Sequence, residues 1–468
     1  MAGVNRVVII GGGPGGYESA LVAAHLGAEV TLVDSDGIGG SAVLTDCVPS
    51  KTLIATAELM AEVEGAHELG VHIGRAADDA RIGIDLDQIN KRVKALAQAQ
   101  SADVGRRLER DGVRVLVGRG RLDGPHRVVA ATSDGEETIE ADAVLVATGA
   151  APRTLPSAQP DGERILTWEQ VYDLTEVPER LVVVGSGVTG AEFASAYTAL
   201  GVDVVLVSSR DRVLPGEDAD AAKVLEDVLV RRGMSVLSRS RMESVSRDGD
   251  RVTVTLTDGR TVTGSHCLLA VGSVPNTAGI GLEEAGVRLD RAGFVAVDRV
   301  SRTSAAGVYA AGDCTGVLML ASVAAMQGRI AMAHALGDAV VPLDLTKVAS
   351  NVFTAPEIAT VGWQQRAVDE GEIEAEVIHL PLAGNARAKM QGIREGFVKL
   401  FCRPNTGIVV GGVVVGPRAS ELIHPVSLAV DESLTADQLA HAFTVYPSIS
   451  GSVAEAARRL HHPVRRGR

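Results

Sequence analysis

Short runs of β-branched and other apolar residues, each ending at a glycine-rich turn, recur along the chain. Residues 7–10 (VVII) form one such run, and an alanine-rich stretch extends from its turn to about His25. Residues 181–184 (LVVV) open a second unit of the same kind. Short apolar runs bounded by glycine are typical of buried parallel strands, and an alanine-rich stretch favours a helix. The pattern therefore predicts two strand–turn–helix units.

Both turns carry glycines at the spacing of dinucleotide-binding folds. The residues of this pattern are Gly11, Gly13, Pro14, Gly15 and Gly16 in the first turn, and Gly185, Gly187, Thr189 and Gly190 in the second. A second strand follows each unit and ends 23 residues after the first glycine, at Asp34 (11 to 34) and at Ser208 (185 to 208). Such glycines let the backbone approach a pyrophosphate at the N-terminus of the next helix. We therefore predict two dinucleotide sites rather than two unrelated tight turns.

The two units differ at the end of their second strand. Asp34 supplies a carboxylate that can accept hydrogen bonds from an unphosphorylated adenosine ribose. The second unit has Ser208, Ser209 and Arg210 instead, so no carboxylate repels a 2′-phosphate and Arg210 can pair with one. The alternative is that Arg210 is an ordinary solvated charge. The sequence therefore allows either NADPH or NADH at the second unit.

Composition excludes several classes of protein. The 468 residues suggest about three domains, and 46% hydrophobic with 22% charged residues is ordinary globular composition. A net charge of −14 and 13 aromatic residues (six Phe, five Tyr, two Trp) argue against nucleic acid as a partner. We find no apolar run long enough for a transmembrane segment and no signal peptide, so a cytoplasmic protein is expected.

The cysteines give no sign of a metal site or a disulfide framework. They lie far apart, with no CxxC and no zinc spacing, at Cys47, Cys267, Cys314 and Cys402. We expect free thiols, the last three in the core, and no bound metal.

Further motifs make the chain resemble the flavoprotein disulfide reductase family, represented by dihydrolipoamide dehydrogenase. These motifs, spread between about Arg6 and Leu460, include Ala147-Thr148-Gly149, Val271-Gly272, Gly312-Asp313 and a segment starting at Asn351. The resemblance implies an α/β protein with two Rossmann-like (doubly wound) dinucleotide-binding domains and a C-terminal α+β dimerisation domain. The boundaries expected are 1–150 and 276–345 for the two segments of the FAD-binding domain, 151–275 for the NAD(P)-binding domain and 346–468 for the dimerisation domain.

The resemblance also implies FAD at the first glycine turn, NADPH or NADH at the second, and a homodimer. Asp34 would hold the adenosine ribose of FAD and Asp313 the ribityl chain. Asp313 alone is also compatible with a turn aspartate that caps its own backbone. The other positions assigned to cofactor binding by the resemblance are Ser41, Lys51, Gly120, Thr148, Gly149, Gly272, Gly312 and Ala321.

Two departures from the family remove the disulfide chemistry. The flavin-proximal cysteine is Cys47, but its redox partner is replaced by Ala42, which cannot exchange a disulfide. At the dimer domain the family has a His–Glu acid–base pair, where this chain has Tyr446 and Gly451. A tyrosine, with a reference pKa near 10, does not replace an imidazole. We predict that disulfide reductase activity is absent or residual.

The residues that the resemblance assigns to hydride transfer are retained. Lys51 and Glu192 match a family ion pair beside the flavin, where they would stabilise charge; without the resemblance each is an ordinary helix-surface charge. Val188 replaces a tyrosine that covers the flavin in many relatives, which suggests a less gated flavin face. Cys47 is either a nucleophile, its pKa lowered by Lys51, or a packing thiol that tunes the flavin.

These features predict a catalytic set of Lys51, Glu192, Cys47 and Tyr446 in an NAD(P)H:quinone oxidoreductase. A quinone needs no thiol because it is reduced directly at the flavin. Tyr446, from the partner subunit, would line the acceptor pocket. The alternatives are a soluble pyridine nucleotide transhydrogenase, which exchanges hydride between nucleotides, and a non-catalytic flavin or nucleotide sensor, which binds FAD with very slow turnover.

Overall fold

The structure of the protein is a computed structural model, which describes residues 5–71 and 83–460. In the first part of the chain the apolar runs form strands and the alanine-rich stretch forms a helix, as predicted. The strands are β1 (Arg6–Ile10), β2 (Glu29–Asp34), β3 (Arg114–Leu122), β4 (Arg127–Thr132), β5 (Gly135–Glu140) and β6 (Ala143–Val146). The helices are α1 (Pro14–His25), α2 (Gly40–Leu44), α3 (Cys47–Gly65) and α4 (Leu86–Arg110).

The middle of the chain repeats this plan. Its strands are β7 (Ala150–Pro152), β8 (Ile165–Leu166), β9 (Arg180–Val184), β10 (Asp203–Val207), β11 (Ser235–Leu237), β12 (Met242–Asp248), β13 (Arg251–Leu256), β14 (Thr261–Gly264), β15 (His266–Leu269) and β16 (Ser273–Pro275). Its helices are α5 (Val188–Ala199) and α6 (Ala219–Arg231). The chain then adds β17 (Val308–Ala310) and α7 (Ala321–Ala335).

The last part is mixed α and β. Its strands are β18 (Ala349–Val352), β19 (Glu357–Gly362), β20 (Glu376–Pro381), β21 (Phe397–Cys402) and β22 (Val409–Gly416). Its helices are α8 (Gln365–Asp369), α9 (Ala386–Met390), α10 (Ala419–Leu422), α11 (His424–Asp431), α12 (Ala436–His441) and α13 (Gly451–Arg459). Short 3₁₀ helices lie at Ala66–Leu69, Gln170–Asp173, Asp313–Thr315, Leu345–Lys347 and Leu382–Gly384.

Two parallel sheets hold the predicted dinucleotide turns. The first has the order β17-β6-β1-β2-β3-β4-β5, parallel from β17 to β3, and the second has the order β11-β10-β9-β15-β8 and is parallel throughout. In each sheet the strand before the glycine turn, β1 or β9, lies between a later strand and its own βαβ partner. This is the topological switch point, where open α/β sheets bind ligands at the carboxyl ends of their strands. The α/β class with Rossmann-type sheets is confirmed.

The chain leaves the first sheet and returns to it. Strand β7, after β6, pairs antiparallel with β16, after β15, so the segment that carries the second sheet is inserted at this two-stranded connection. Strand β17 then joins β6 in the first sheet. Two separate parts of the chain therefore build one sheet.

The C-terminal sheet, in the order β18-β19-β22-β21-β20, is antiparallel and packs against the other two units. One apolar cluster contains Leu53 of α3, Phe193 of α5 and Phe397 of β21. A buried ion pair adds to this contact, because the Lys399 ammonium on β21 lies 2.8 Å from Asp218 at the start of α6. The C-terminal sheet is thus fixed against α3 of the first unit and against α5 and α6 of the second.

Candidate functional site

The first glycine turn and Asp34 form one hydrogen-bonded unit. The Asp34 carboxylate accepts the backbone N–H groups of Gly12 (2.6 Å) and Gly37 (2.6 Å), so it is held above the turn at the end of β2. A Cβ on Gly16 would overlap the carbonyl oxygen of Gly11, which explains why α1 can approach β1 only with glycine there. Gly13 caps α1 without a side chain, and a Cβ on it would meet little but Gly40. The N-terminus of α1 is therefore open to a phosphate.

The second part of the sheet brings Asp313 to this turn. Gly15 lies against Ala311, which follows β17, and Gly312 donates its N–H to Gln327 of α7 at 2.9 Å. Asp313 comes next, and burial together with the nearby Asp46 carboxylate raises its pKa to about 6. This pKa still leaves a half-buried Asp313 mostly ionised near neutral pH, and such a carboxylate can accept a hydrogen bond from a sugar or polyol hydroxyl.

The other positions predicted to bind a cofactor are spread over several elements of the structure. Thr148 and Gly149 follow β6, and their carbonyl oxygens accept hydrogen bonds from Asn276, at 3.0 Å in each case. The Gly272 carbonyl oxygen accepts the Arg153 N–H at 2.9 Å beside the two-stranded connection. The remaining three begin or lie on regular elements: Ser41 in α2, Gly120 in β3 and Ala321 in α7. With Asp34, Asp313 and the open helix terminus, these residues fit FAD.

The second glycine turn has the same construction. A Cβ on Gly190 would overlap the carbonyl oxygen of Gly185, and a Cβ on Gly187 would project into open space. Gly187 caps α5 without a side chain, with Val188 and Thr189 in the first turn of that helix. Val188 is exposed, so the start of α5 is uncovered. This turn fits the pyrophosphate of a second dinucleotide.

Ser208 corrects one prediction. The residue is fully buried, and its hydroxyl lies 2.7 Å from that of Ser186 and accepts the Arg210 N–H at 3.1 Å. It therefore braces the loop from inside and does not present its hydroxyl to a ligand. Ser209 and Arg210 are exposed.

The sequence analysis missed Arg239, which the structure places beside Arg210. The N–H of Arg239, just after β11, donates to the carbonyl oxygen of Arg210 at 2.7 Å. Both side chains are exposed at the carboxyl end of the second sheet. The pairing of β10 with β11 creates this neighbourhood, and no local sequence signal reveals it.

Lys51 and Glu192 form the expected ion pair. Their Nζ and Oε2 atoms lie 2.7 Å apart, and Glu192 is only 3% exposed. Burial lowers the pKa of Lys51, but the charge and hydrogen bond of Glu192 outweigh that effect, so the pKa is raised and the ammonium form is favoured. The pair joins α3 of the first unit to α5 of the second. Phe353, which sequence analysis missed, contacts both partners, since its N–H donates to Glu192 and its ring lies near the Lys51 ammonium.

For Cys47 the sequence left two interpretations open, an activated nucleophile or a packing thiol, and its surroundings favour the packing thiol. The thiol lies in the first turn of α3, ahead of Lys51, but burial and the Asp46 carboxylate raise its pKa to about 12. Lys51 acts in the opposite direction and does not outweigh them. Cys47 is therefore a neutral thiol near neutral pH and not an activated nucleophile. Cys267, Cys314 and Cys402 are buried, as expected.

Tyr446 lies apart from these groups, on an exposed apolar segment of the C-terminal unit. It is 86% exposed, and its neighbours Phe443 and Val445 are also exposed. Asn385 anchors the end of this segment by donating to the Ser448 carbonyl oxygen at 3.0 Å. The predicted position of Tyr446 in a partner's acceptor pocket depends on a second copy of the chain and stays a prediction.

Two kinds of feature are absent from the part of the chain that the structure describes. No group of three or more His, Cys, Asp or Glu side chains within residues 5–71 and 83–460 is arranged to hold a metal ion. In the same part of the chain, none of the helices combines the length and the apolar character that spanning a membrane requires.

Comparisons with known proteins agree with this geometry. Residues 5–328 match the family described as pyridine nucleotide-disulphide oxidoreductase, and residues 348–457 match its dimerisation domain. The chain is 59% identical over 467 residues to an NAD(P)H dehydrogenase (quinone) of Mycobacterium tuberculosis, covering 98% of this chain and 94% of that protein. It is 32% identical to the dihydrolipoyl dehydrogenase of Zymomonas mobilis, covering 96% of each.

Solved structures give the same result. The crystal structure of LpdA from Mycobacterium tuberculosis superposes with a TM-score of 0.94 at 58% identity, covering 98% of this chain and 100% of that chain. The flavoprotein disulfide reductase RclA of Escherichia coli superposes with a TM-score of 0.86 at 23% identity, covering 98% of this chain and 100% of that chain, which shows a shared fold.

Proposed function

We propose that this chain, which belongs to the pyridine nucleotide-disulphide oxidoreductase family, is an FAD-dependent NAD(P)H:quinone oxidoreductase. The cofactors of this family are FAD and NAD(P)H, and both glycine turns fit a dinucleotide. One observation carries the choice of acceptor: the Lys51–Glu192 pair is complete, while the positions of the dithiol and of its acid–base pair hold Ala42, Tyr446 and Gly451. The similarity to a quinone-reducing relative supports the same conclusion.

The chain's own residues bind, orient and supply charge. FAD bound at the first glycine turn would supply the chemistry that carries a hydride from NAD(P)H and two electrons to the acceptor. Gly13 and Gly187 leave the starts of α1 and α5 free to hold the two pyrophosphates. Lys51 holds a positive charge where α3 meets α5, and Glu192 fixes its position. A charge placed before the reaction stabilises negative charge that develops near it without reorganisation.

The acceptor pocket of the proposed enzyme is formed in a homodimer. The matched dimerisation domain and the exposed apolar side chains of Phe443, Val445 and Tyr446 support a second copy packing on this face. Tyr446 would then line the acceptor pocket of the partner subunit and donate a hydrogen bond to a quinone oxygen. We place the enzyme in the cytoplasm, where NADPH and NADH are available.

The test is steady-state oxidation of NADPH and of NADH by the purified FAD-loaded protein. A benzoquinone, lipoamide and thio-NAD are compared as acceptors under identical conditions. We expect fast turnover with the quinone and none with lipoamide, because Ala42 cannot form a disulfide with Cys47. Hydride transfer to thio-NAD at a rate matching quinone reduction would favour a transhydrogenase instead. Tight FAD binding without turnover on any acceptor would favour a sensor.

A further inference from the structure

Both carboxylate oxygens of Glu192 are engaged, by partners from two different parts of the chain. Oε2 lies 2.7 Å from the ammonium of Lys51 on α3, and Oε1 accepts the backbone N–H of Phe353 at 2.8 Å. Hydrogen bonds to an ionised carboxylate are stronger than neutral ones and fix its orientation. Phe353 belongs to the C-terminal unit, where it follows β18 directly. The buried carboxylate is therefore held between two elements.

The ring of Phe353 contacts the other member of the pair. The Lys51 Nζ lies 4.9 Å from the ring centroid, within the range of a cation–π contact. Lys51 has a flexible stem, and 30% of its side chain is exposed, so one ion pair leaves its ammonium some freedom. The ring limits that freedom from a second direction. Phe353 thus touches both Lys51 and Glu192.

The segment that carries Phe353 is itself rigidly docked. Val352 is buried in the apolar cluster shared with α3 and α5, and Thr354 is buried with its hydroxyl donating to the Pro356 carbonyl oxygen at 2.7 Å. The Ala355 N–H donates to Ser195 at 3.3 Å. Ser195 lies one turn beyond Glu192 on the same helix, so two consecutive turns of α5 receive this segment.

We propose that Phe353 is a positioning residue for hydride transfer, its N–H orienting Glu192 and its ring holding the Lys51 ammonium at the flavin. This inference rests on the proposed function and extends it, because it assigns part of the reductive site to the C-terminal unit. Small displacements of a positioned charge change reaction rates strongly, which is why a second contact matters.

The test uses the FAD-loaded enzyme with two substitutions of one ring. Phe353→Leu removes the aromatic face and keeps the N–H, whereas Phe353→Tyr keeps both. Anaerobic single-turnover reduction of the flavin by saturating NADPH is followed by its absorbance. We expect Phe353→Leu to slow this step about 3- to 10-fold and Phe353→Tyr to stay within about twofold of the wild type. FAD content and the rate of reoxidation by quinone should not change.

Phe397→Leu is the matched control, since the ring of Phe397 lies 5.6 Å from Lys399 in the core. It should lower Tm without slowing flavin reduction. The proposal is overturned if Phe353→Leu reduces flavin at the wild-type rate, if both leucine variants slow it equally, or if Phe353→Leu loses FAD. Because flavin reduction is measured without an acceptor, failure to reduce quinone would overturn only the proposed function.

Discussion

The Nζ of Lys51 and the Oε2 of Glu192 lie 2.7 Å apart, although 141 residues separate them in the chain. One belongs to α3 and the other to α5, so the pair forms only when the two dinucleotide-binding units pack together. Glu192 is buried, and a buried carboxylate without a partner is costly. The contact therefore has two effects. It stabilises the interface between the two units, and it positions the charge of Lys51 in the site.

Removing the charge of Lys51 should slow reduction of the enzyme by NADPH. We expect Lys51→Met to lower the rate of flavin reduction about 100-fold, because a positioned charge contributes about this much when removed from a site. The measurement is anaerobic stopped-flow reduction of the FAD-loaded protein.

Lys399→Met is the matched control for that experiment. It also breaks a buried ion pair, between Lys399 on β21 and Asp218 at the start of α6, and neither residue belongs to the predicted catalytic or cofactor-binding set. Both variants should lose stability, and only Lys51→Met should lose hydride transfer. Equal rates of flavin reduction in the two variants would contradict the role given to Lys51.

Arg210 and Arg239 should together determine the preference for NADPH. We expect Arg210→Ala to raise KM for NADPH about tenfold and the double variant with Arg239→Ala to raise it further, since each guanidinium can contact a 2′-phosphate. KM for NADH should stay the same. Arg288→Ala, which removes an exposed arginine of the first unit, controls for the change in net charge. Equal increases in KM for NADPH and for NADH would contradict the role given to the two arginines.

Cys47 should resist alkylation at neutral pH. Its pKa is raised to about 12, so the reactive thiolate is scarce at pH 7 and its population keeps rising with pH beyond 10. The rate of iodoacetamide modification at Cys47, located by mass spectrometry, should rise without a plateau through this range. Asp46→Asn removes a neighbouring negative charge and should increase the rate at any fixed pH. A plateau below pH 8 would show that the thiol is activated after all.

His266 should make the protein less stable in mild acid. Burial, with help from Arg164 and Arg247, lowers its pKa to about 4, against 6.5 for an unfolded histidine. Between these values the unfolded chain binds a proton that the folded chain does not, so stability falls as pH drops from about 6.5 towards 4. We expect Tm of the wild type to fall more steeply over this window than Tm of His266→Gln. An equal decrease in Tm for the wild type and for His266→Gln would show that other groups cause the acid sensitivity.

The sequence predicted the fold well because its signals are local. The two glycine turns, each between an apolar run and a helix, identify the βαβ units, and glycine is required there since a Cβ on Gly16 or Gly190 would overlap a backbone carbonyl. The Lys51–Glu192 contact was predicted through a family resemblance and forms as expected. The predicted domain limits stay predictions.

The sequence did not predict the surroundings of individual side chains. Ser208 was expected to face a ligand, but the loop after β10 turns its hydroxyl inwards to Ser186. Whether Lys51 activates the thiol of Cys47 was left open by the sequence, and in the structure burial and Asp46 outweigh Lys51 and raise its pKa. Both effects depend on how deeply a side chain is buried, and the local sequence does not reveal this.

The sequence by itself determined the two glycine turns of the dinucleotide sites and the replacement of the partner cysteine by Ala42, because glycine spacing and single substitutions are read residue by residue. Only the tertiary structure decided which groups surround the reacting centre. Arg239 reaches Arg210 through strand pairing, and Phe353 reaches Lys51 and Glu192 through the docking of a third unit. Charge, burial and contact depend on distances in space, and distant parts of a chain acquire these only when it packs.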